Sequence, residues 1–102
     1  MMNKAVLEMP MPEIEAFCRR GHIRRLALFG SALRDDFTPE SDLDILVEFE
    51  PGHTVGFLTF AGMQNELADL LGFKVDLSTP GLLSPYFRDE VLHEAETLYV
   101  AA

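Results

Sequence analysis

Five residues in three short stretches carry chemistry that this chain could do. An apolar run ends in Phe29 and a Gly-Ser pair, Gly30 and Ser31. A second run, "SDLDILVEF", opens with Asp42 and Asp44, and a third, "FKVDLS", contains Asp76. Glycine lets the backbone turn sharply and lets a ligand come close. The serine adds a hydroxyl and opens a turn whose free N–H groups can hold a phosphate. Aspartates two apart on a strand face the same side, with Cα atoms about 6.6 Å apart. Held there, carboxylates repel unless a cation neutralises them, and hard oxygen donors suit Mg²⁺ or Mn²⁺. Each piece also has a plainer reading. Gly-Ser is usually only a turn, Asp42 and Asp44 can be solvated strand-end acids, and Asp76 can pair with Lys74. Together they describe a phosphate cradle beside a divalent cation, as polyphosphate chemistry requires. Three carboxylates can hold two Mg²⁺ ions roughly 3.5–4 Å apart, which clamp the attacking and leaving oxygens of an in-line displacement.

Such a site needs strands that end and begin at one rim. "MPEIEAFCRRG" predicts a short helix, with Pro12 in its first turn, Glu13 and Glu15 at its positive end and Gly21 at its stop. Ile23 to Phe29 predicts a strand. A single helical turn from Ser31 and a loop through Pro39 follow. Asp42 to Glu50 predicts a second strand, ended by Pro51-Gly52. From Val55 to Leu71 the period turns helical, with Phe60, Met63, Leu67, Leu70 and Leu71 on one face and Gly72 at the stop. "FKVDLS" predicts a third strand. Ser84 reads as an N-cap and Pro85 as the first residue of a helix, "PYFRDEVLHEA". "TLYV" completes the order as a short final strand. The expected architecture is a small α/β (α+β) domain, residues 1–102, with a mixed sheet of three to four strands and helices packed against it.

Composition narrows the setting. The 102 residues are 48% hydrophobic, enough for a modest core. No apolar stretch approaches the ~20 residues of a membrane span. The N-terminal residues lack a signal-peptide pattern, so a cytoplasmic protein away from the membrane is expected. The lone Cys18 excludes an internal disulfide and a cysteine-rich zinc site, and it reads as a small core residue. A net charge of −9 argues against direct grip on long nucleic acid. Arg19, Arg20, Arg24 and Arg25 cluster in "RRGHIRR", as charge at a helix end and strand edge or as a contact for a phosphate or acidic partner. His22, His53 and His93 lack a zinc spacing and read as surface or loop residues. The Phe57–Phe60–Met63 stripe reads as core, or in part as a partner-binding face.

The combined pattern is more specific than its pieces. Gly30-Ser31, ten residues, then Asp42-Leu43-Asp44, with the "KVDL" strand behind them, resembles the signature of the DNA polymerase beta-like nucleotidyltransferase superfamily. The small size is similar to its minimal nucleotidyltransferases, the MNT or MntA-like antitoxins, over about Ile23 to Val100. The resemblance implies the nucleotidyltransferase fold. It implies that Gly30 and Ser31 bind nucleotide phosphates, and that Asp42, Asp44 and Asp76 bind two Mg²⁺ with Asp76 helping to deprotonate the acceptor. It assigns Arg34 to phosphate contact. Asp35 departs from the glycine common at that place in larger members, which makes the loop less hospitable to a phosphate. The resemblance further implies an antitoxin of a type VII-like pair, encoded beside a HEPN-domain ribonuclease toxin. Such a protein moves AMP from ATP to a tyrosine of that toxin. The alternatives are a non-catalytic antitoxin that masks the toxin by binding, and a small-molecule nucleotidyltransferase with a separate substrate-binding subunit. With no substrate domain expected after the nucleotide half-site, the acceptor must come from another chain.

Overall fold

The structure, a computed structural model, describes residues 9–33, 38 and 40–101. In chain order it runs α1 (Met11–Arg20), β1 (Ile23–Phe29), a 3₁₀ turn (Gly30–Leu33), β2 (Leu43–Phe49), α2 (Phe57–Leu71), β3 (Val75–Ser78), a second 3₁₀ turn (Pro80–Leu82), α3 (Arg88–Glu94) and β4 (Glu96–Val100). The strands form one sheet in the order β3-β2-β1-β4. β1 is antiparallel to both β2 and β4, whereas β2 and β3 are parallel, joined through α2. The sheet is therefore mixed, as expected from the sequence.

The strands are apolar because the sheet buries them. Leu43, Ile45 and Val47 of β2 and Leu26 and Leu28 of β1 are shut from solvent, and Ile14, Phe17, Met63 and Leu67 of the helices join them in one cluster. β2 is central and is buried at Leu46 as well, so it reads as a near-continuous hydrophobic run. The edge strand β3 is half-protected: Gln64 of α2 accepts a hydrogen bond at 2.9 Å from the Leu77 N–H.

Gly21 stops α1 as expected, although the left-handed residue of the turn is its neighbour. Gly21 has φ −89, and His22 is the residue in the left-handed region, at φ 54. A Cβ at Gly21 would lie 2.9 Å from Met63 Cε, the tip of a flexible side chain that can shift aside. Gly72 does take the left-handed conformation that ends α2, at φ 76. The last helix is shorter than expected and starts at Arg88. The Ser84 carbonyl accepts from the N–H groups of both Phe87 and Arg88, and the Ser84 hydroxyl meets the Tyr86 N–H at 3.3 Å. Ser84-Pro85 thus opens a turn rather than the helix.

All four clustered arginines meet carboxylates. Arg19 pairs with Glu15 (3.6 Å), Arg20 with Glu66 (2.6 Å), and Arg24 and Arg25 both with Glu48. Charge at the end of α1 and at the start of β1, an inner strand, therefore accounts for the cluster, at roughly 0–1 kcal/mol for each exposed pair. Within the described residues no helix is long and apolar enough to cross a membrane.

Cys18 is fully buried, and burial, with Glu15 nearby, pushes its thiol up to about 12 from an ordinary 9.0. The native state thus holds the thiol proton more tightly than the unfolded chain. This contribution is complete below the unfolded value and is lost as pH rises through 9 toward 12. At neutral pH Cys18 should react with a thiol reagent only as fast as the protein unfolds. Above pH 9 stability should fall more steeply in the wild type than in Cys18→Ala, as read from urea midpoints.

Candidate functional site

Strand register assembles one rim of the sheet. Antiparallel pairing sets Phe29, the last residue of β1, opposite Asp44. Parallel pairing sets Asp44 opposite Asp76. Neighbouring strands lie about 4.8 Å apart, so Asp44 and Asp76 stand side by side on adjacent backbones. Asp42 lies one residue before β2, on the side of Asp44, and the Leu43 N–H donates to the Lys74 carbonyl at 2.7 Å, which carries the β2–β3 pairing to the mouth of the strand. The end of β1 and the starts of β2 and β3 thus meet at one place. Asp42 and Asp76 are exposed there, and Asp44 is half-buried.

Gly30 completes the rim. Its φ is +64, a region where an L side chain is strained. A Cβ on Gly30 would collide with the Asp44 carboxylate, whose Cγ would lie only 3.3 Å away. The missing side chain is what lets the carboxylate and the turn share this space. Ser31 follows Gly30 in the 3₁₀ turn. Arg34, the third residue assigned to nucleotide contact, lies outside the described residues, as do Asp35 and most of the loop through Pro39.

Beyond Gly30 opens a cleft of about 670 Å³, lined by Phe29, Gly30, Leu33, Leu83, Phe87 and Val91 among others. This size is ordinary for a small-molecule site, roughly 300–1,000 Å³, and its walls are mixed, with Ser84, Glu90 and Glu94 beside the apolar residues. Gly30 belongs to both the acid rim and the cleft. The far wall is held by Arg88, whose Nε donates to the Pro80 carbonyl (2.7 Å) and whose Nη2 donates to the Leu83 carbonyl (3.1 Å). A hydrogen bond to a charged group contributes about 1.5–3 kcal/mol. Arg88→Met should therefore lower the urea-unfolding free energy by about 1–3 kcal/mol, while circular dichroism reports an unchanged fold.

The donor set is oxygen only, the chemistry of a hard divalent cation rather than of zinc. Asp42, Asp44 and Asp76 thus offer, beside a glycine turn, the ligand type that Mg²⁺ prefers. Sequence spacing pointed to all of these residues except the cleft walls, which come from distant turns. It missed one grouping altogether. His22 and His53 stack at 4.0 Å on the opposite rim, with Glu50 beside them.

Comparison with known proteins gives a consistent result. The family profile described as nucleotidyltransferase domain matches residues 13–98. A Methanocaldococcus jannaschii protein, provisionally named a protein adenylyltransferase, is 40% identical over 79 residues, 76% of each chain. The protein adenylyltransferase MntA of Thermococcus cleftensis is 36% identical over 72 residues, 71% of each chain. A solved structure provisionally described as a minimal nucleotidyltransferase superposes with a TM-score of 0.72 at 36% identity, covering 92% of this chain and 94% of that one. A chain from a toxin–antitoxin complex solved with AMP-PNP shares the fold, with a TM-score of 0.73 at 22% identity over 91% of this chain and 75% of its own. The rim of aspartates behind a glycine turn thus sits on a fold, and in a sequence, that relatives share: this chain belongs to the nucleotidyltransferase domain family and is an enzyme of that class.

Proposed function

We propose that the protein transfers AMP from ATP to a hydroxyl of a partner protein, a tyrosine of a HEPN toxin in our reading, and so acts as the antitoxin. The observation that carries this is the contact of Gly30 with the Asp44 carboxylate, with Asp76 in register beside it. A polyphosphate turn and an acid cluster then face the same space. The names of the relatives and the toxin–antitoxin neighbours support the reading, among them a tri-AMPylated HEPN toxin bound to its MNT antitoxin.

In this reading Gly30 and Ser31 hold the phosphates, with Arg34 as a further phosphate contact. Asp42, Asp44 and Asp76 hold two Mg²⁺ ions, which supply charge neutralisation and Lewis acidity when bound. The acceptor oxygen attacks the α-phosphorus, the bond to the bridging oxygen breaks, and pyrophosphate leaves. Asp76 takes the acceptor proton. The acceptor must be presented in line, and positioning is a large part of such a rate, so the protein alone should turn over ATP slowly. A basic toxin surface would be drawn to a chain of net charge −9.

Masking by binding is a second reading, favoured by exposed apolar side chains. Phe57 is 83% exposed and Leu58 84% exposed, on the first turn of α2. Intact-mass measurement separates the two. The protein, its neighbour-encoded partner, ATP and Mg²⁺ are mixed and the partner is weighed. A gain of one or more AMP units supports transfer. Neutralisation with no gain in mass supports masking.

A further inference from the structure

We propose that His22, Glu50 and His53 form a second metal site, for a borderline divalent ion such as Zn²⁺, separate from the acid rim. His22 sits in the turn before β1, and Glu50 and His53 follow the end of β2. Antiparallel pairing of Ile23 with Phe49 brings these turns together. Phe29 pairs with Asp44 at the other end of the same strands, so the two sites stand roughly 20 Å apart along β1.

The three residues are tied through their backbones. The Glu50 N–H donates to the His22 carbonyl at 2.9 Å, and the His53 N–H donates to the Glu50 carbonyl at 3.0 Å. The imidazoles stack with centroids 4.0 Å apart and planes 6° from parallel. His22 holds a left-handed φ of 54, which a non-glycine residue adopts at a cost and which here places its ring on His53. One ligating atom from each residue lies within 4.8 Å of the other two. Bonds of about 2.0–2.1 Å require ligand atoms roughly 3 Å apart. Both histidines are exposed, so rotation of their side chains can supply the difference.

Two imidazoles and one carboxylate select against Mg²⁺ and for Zn²⁺ or its neighbours in the first transition row. Three protein ligands leave at least one position for water or for a group from another molecule. A bound ion would clasp the α1–β1 turn to the turn that leads into α2.

The test is calorimetric titration of the full-length protein with Zn²⁺ in excess Mg²⁺. The variants are His22→Asn, chosen because asparagine tolerates a left-handed φ, His53→Gln, and Asp44→Asn as the control for the acid rim. We expect one Zn²⁺ per chain, affinity weakened at least tenfold in each histidine variant, and affinity unchanged in Asp44→Asn. Co²⁺ in place of Zn²⁺ should develop visible absorption that both histidine variants lose. Circular dichroism checks folding, and if His22→Asn fails to fold, His53→Gln decides alone. Absence of saturable binding, full affinity in His53→Gln, or loss of binding in Asp44→Asn would overturn the proposal.

Discussion

Asp44→Asn should reduce AMP transfer by about a thousandfold or more. A metal centre supplies several kcal/mol of transition-state charge stabilisation, and each ~1.4 kcal/mol is tenfold in rate. Asp44 is the middle carboxylate of the rim, opposite Phe29 on one side and Asp76 on the other. Asparagine keeps the shape and removes the charge, so the fold should survive with stability within about 1 kcal/mol of wild type. Initial rates with the partner as acceptor, beside a urea melt of each protein, would show the separation. Full activity in Asp44→Asn would remove the two-metal assignment.

The second large effect comes from a single methyl group. Gly30→Ala must place a Cβ where the Asp44 carboxylate lies, and must hold φ +64 with an L side chain. The backbone term is roughly 1–2 kcal/mol. The steric term pushes the carboxylate away from the turn, and a displacement near 1 Å in a catalytic group can cost about 10²-fold. We therefore expect a drop of about a hundredfold or more in rate with a modest loss of stability. Gly52→Ala is the matched control. Gly52 also has a positive φ, 84, but a Cβ there meets nothing within 4 Å. That variant should lose a similar amount of stability and keep its activity, as measured by rate assays and denaturation on the same preparations.

The candidate site was legible in the sequence because its parts are local. Gly30 ends a strand, Asp42 and Asp44 begin the next, and alternation along a strand sets their direction without tertiary information. Asp76 needed β3 to lie beside β2, and the helix between them makes that parallel pairing natural. Ends of elements were less legible. Ser84-Pro85 has the chemistry of a helix start, yet the Ser84 carbonyl is taken by a turn and α3 begins at Arg88. Gly21 does stop α1, but the positive φ of that turn falls on His22, which no local pattern marked. The His22–His53 stack was invisible because 30 residues separate the rings and only the β1–β2 register joins them. The cleft walls were hidden for the same reason, since Phe29 and Phe87 line one cleft from segments far apart in the chain.

The central claim is that an adenylyl group, and no other part of ATP, passes to a protein hydroxyl through the rim built by Gly30, Asp42, Asp44 and Asp76. Two labelled donors test it most directly. The protein and its neighbour-encoded partner are incubated with Mg²⁺ and ATP labelled at either the α- or the γ-phosphate, and the partner is separated and counted. The account predicts label on the partner from the α-position, none from the γ-position, and none from either when Asp44→Asn replaces the wild type. Label arriving from the γ-phosphate, or α-label that persists undiminished in Asp44→Asn, would contradict it.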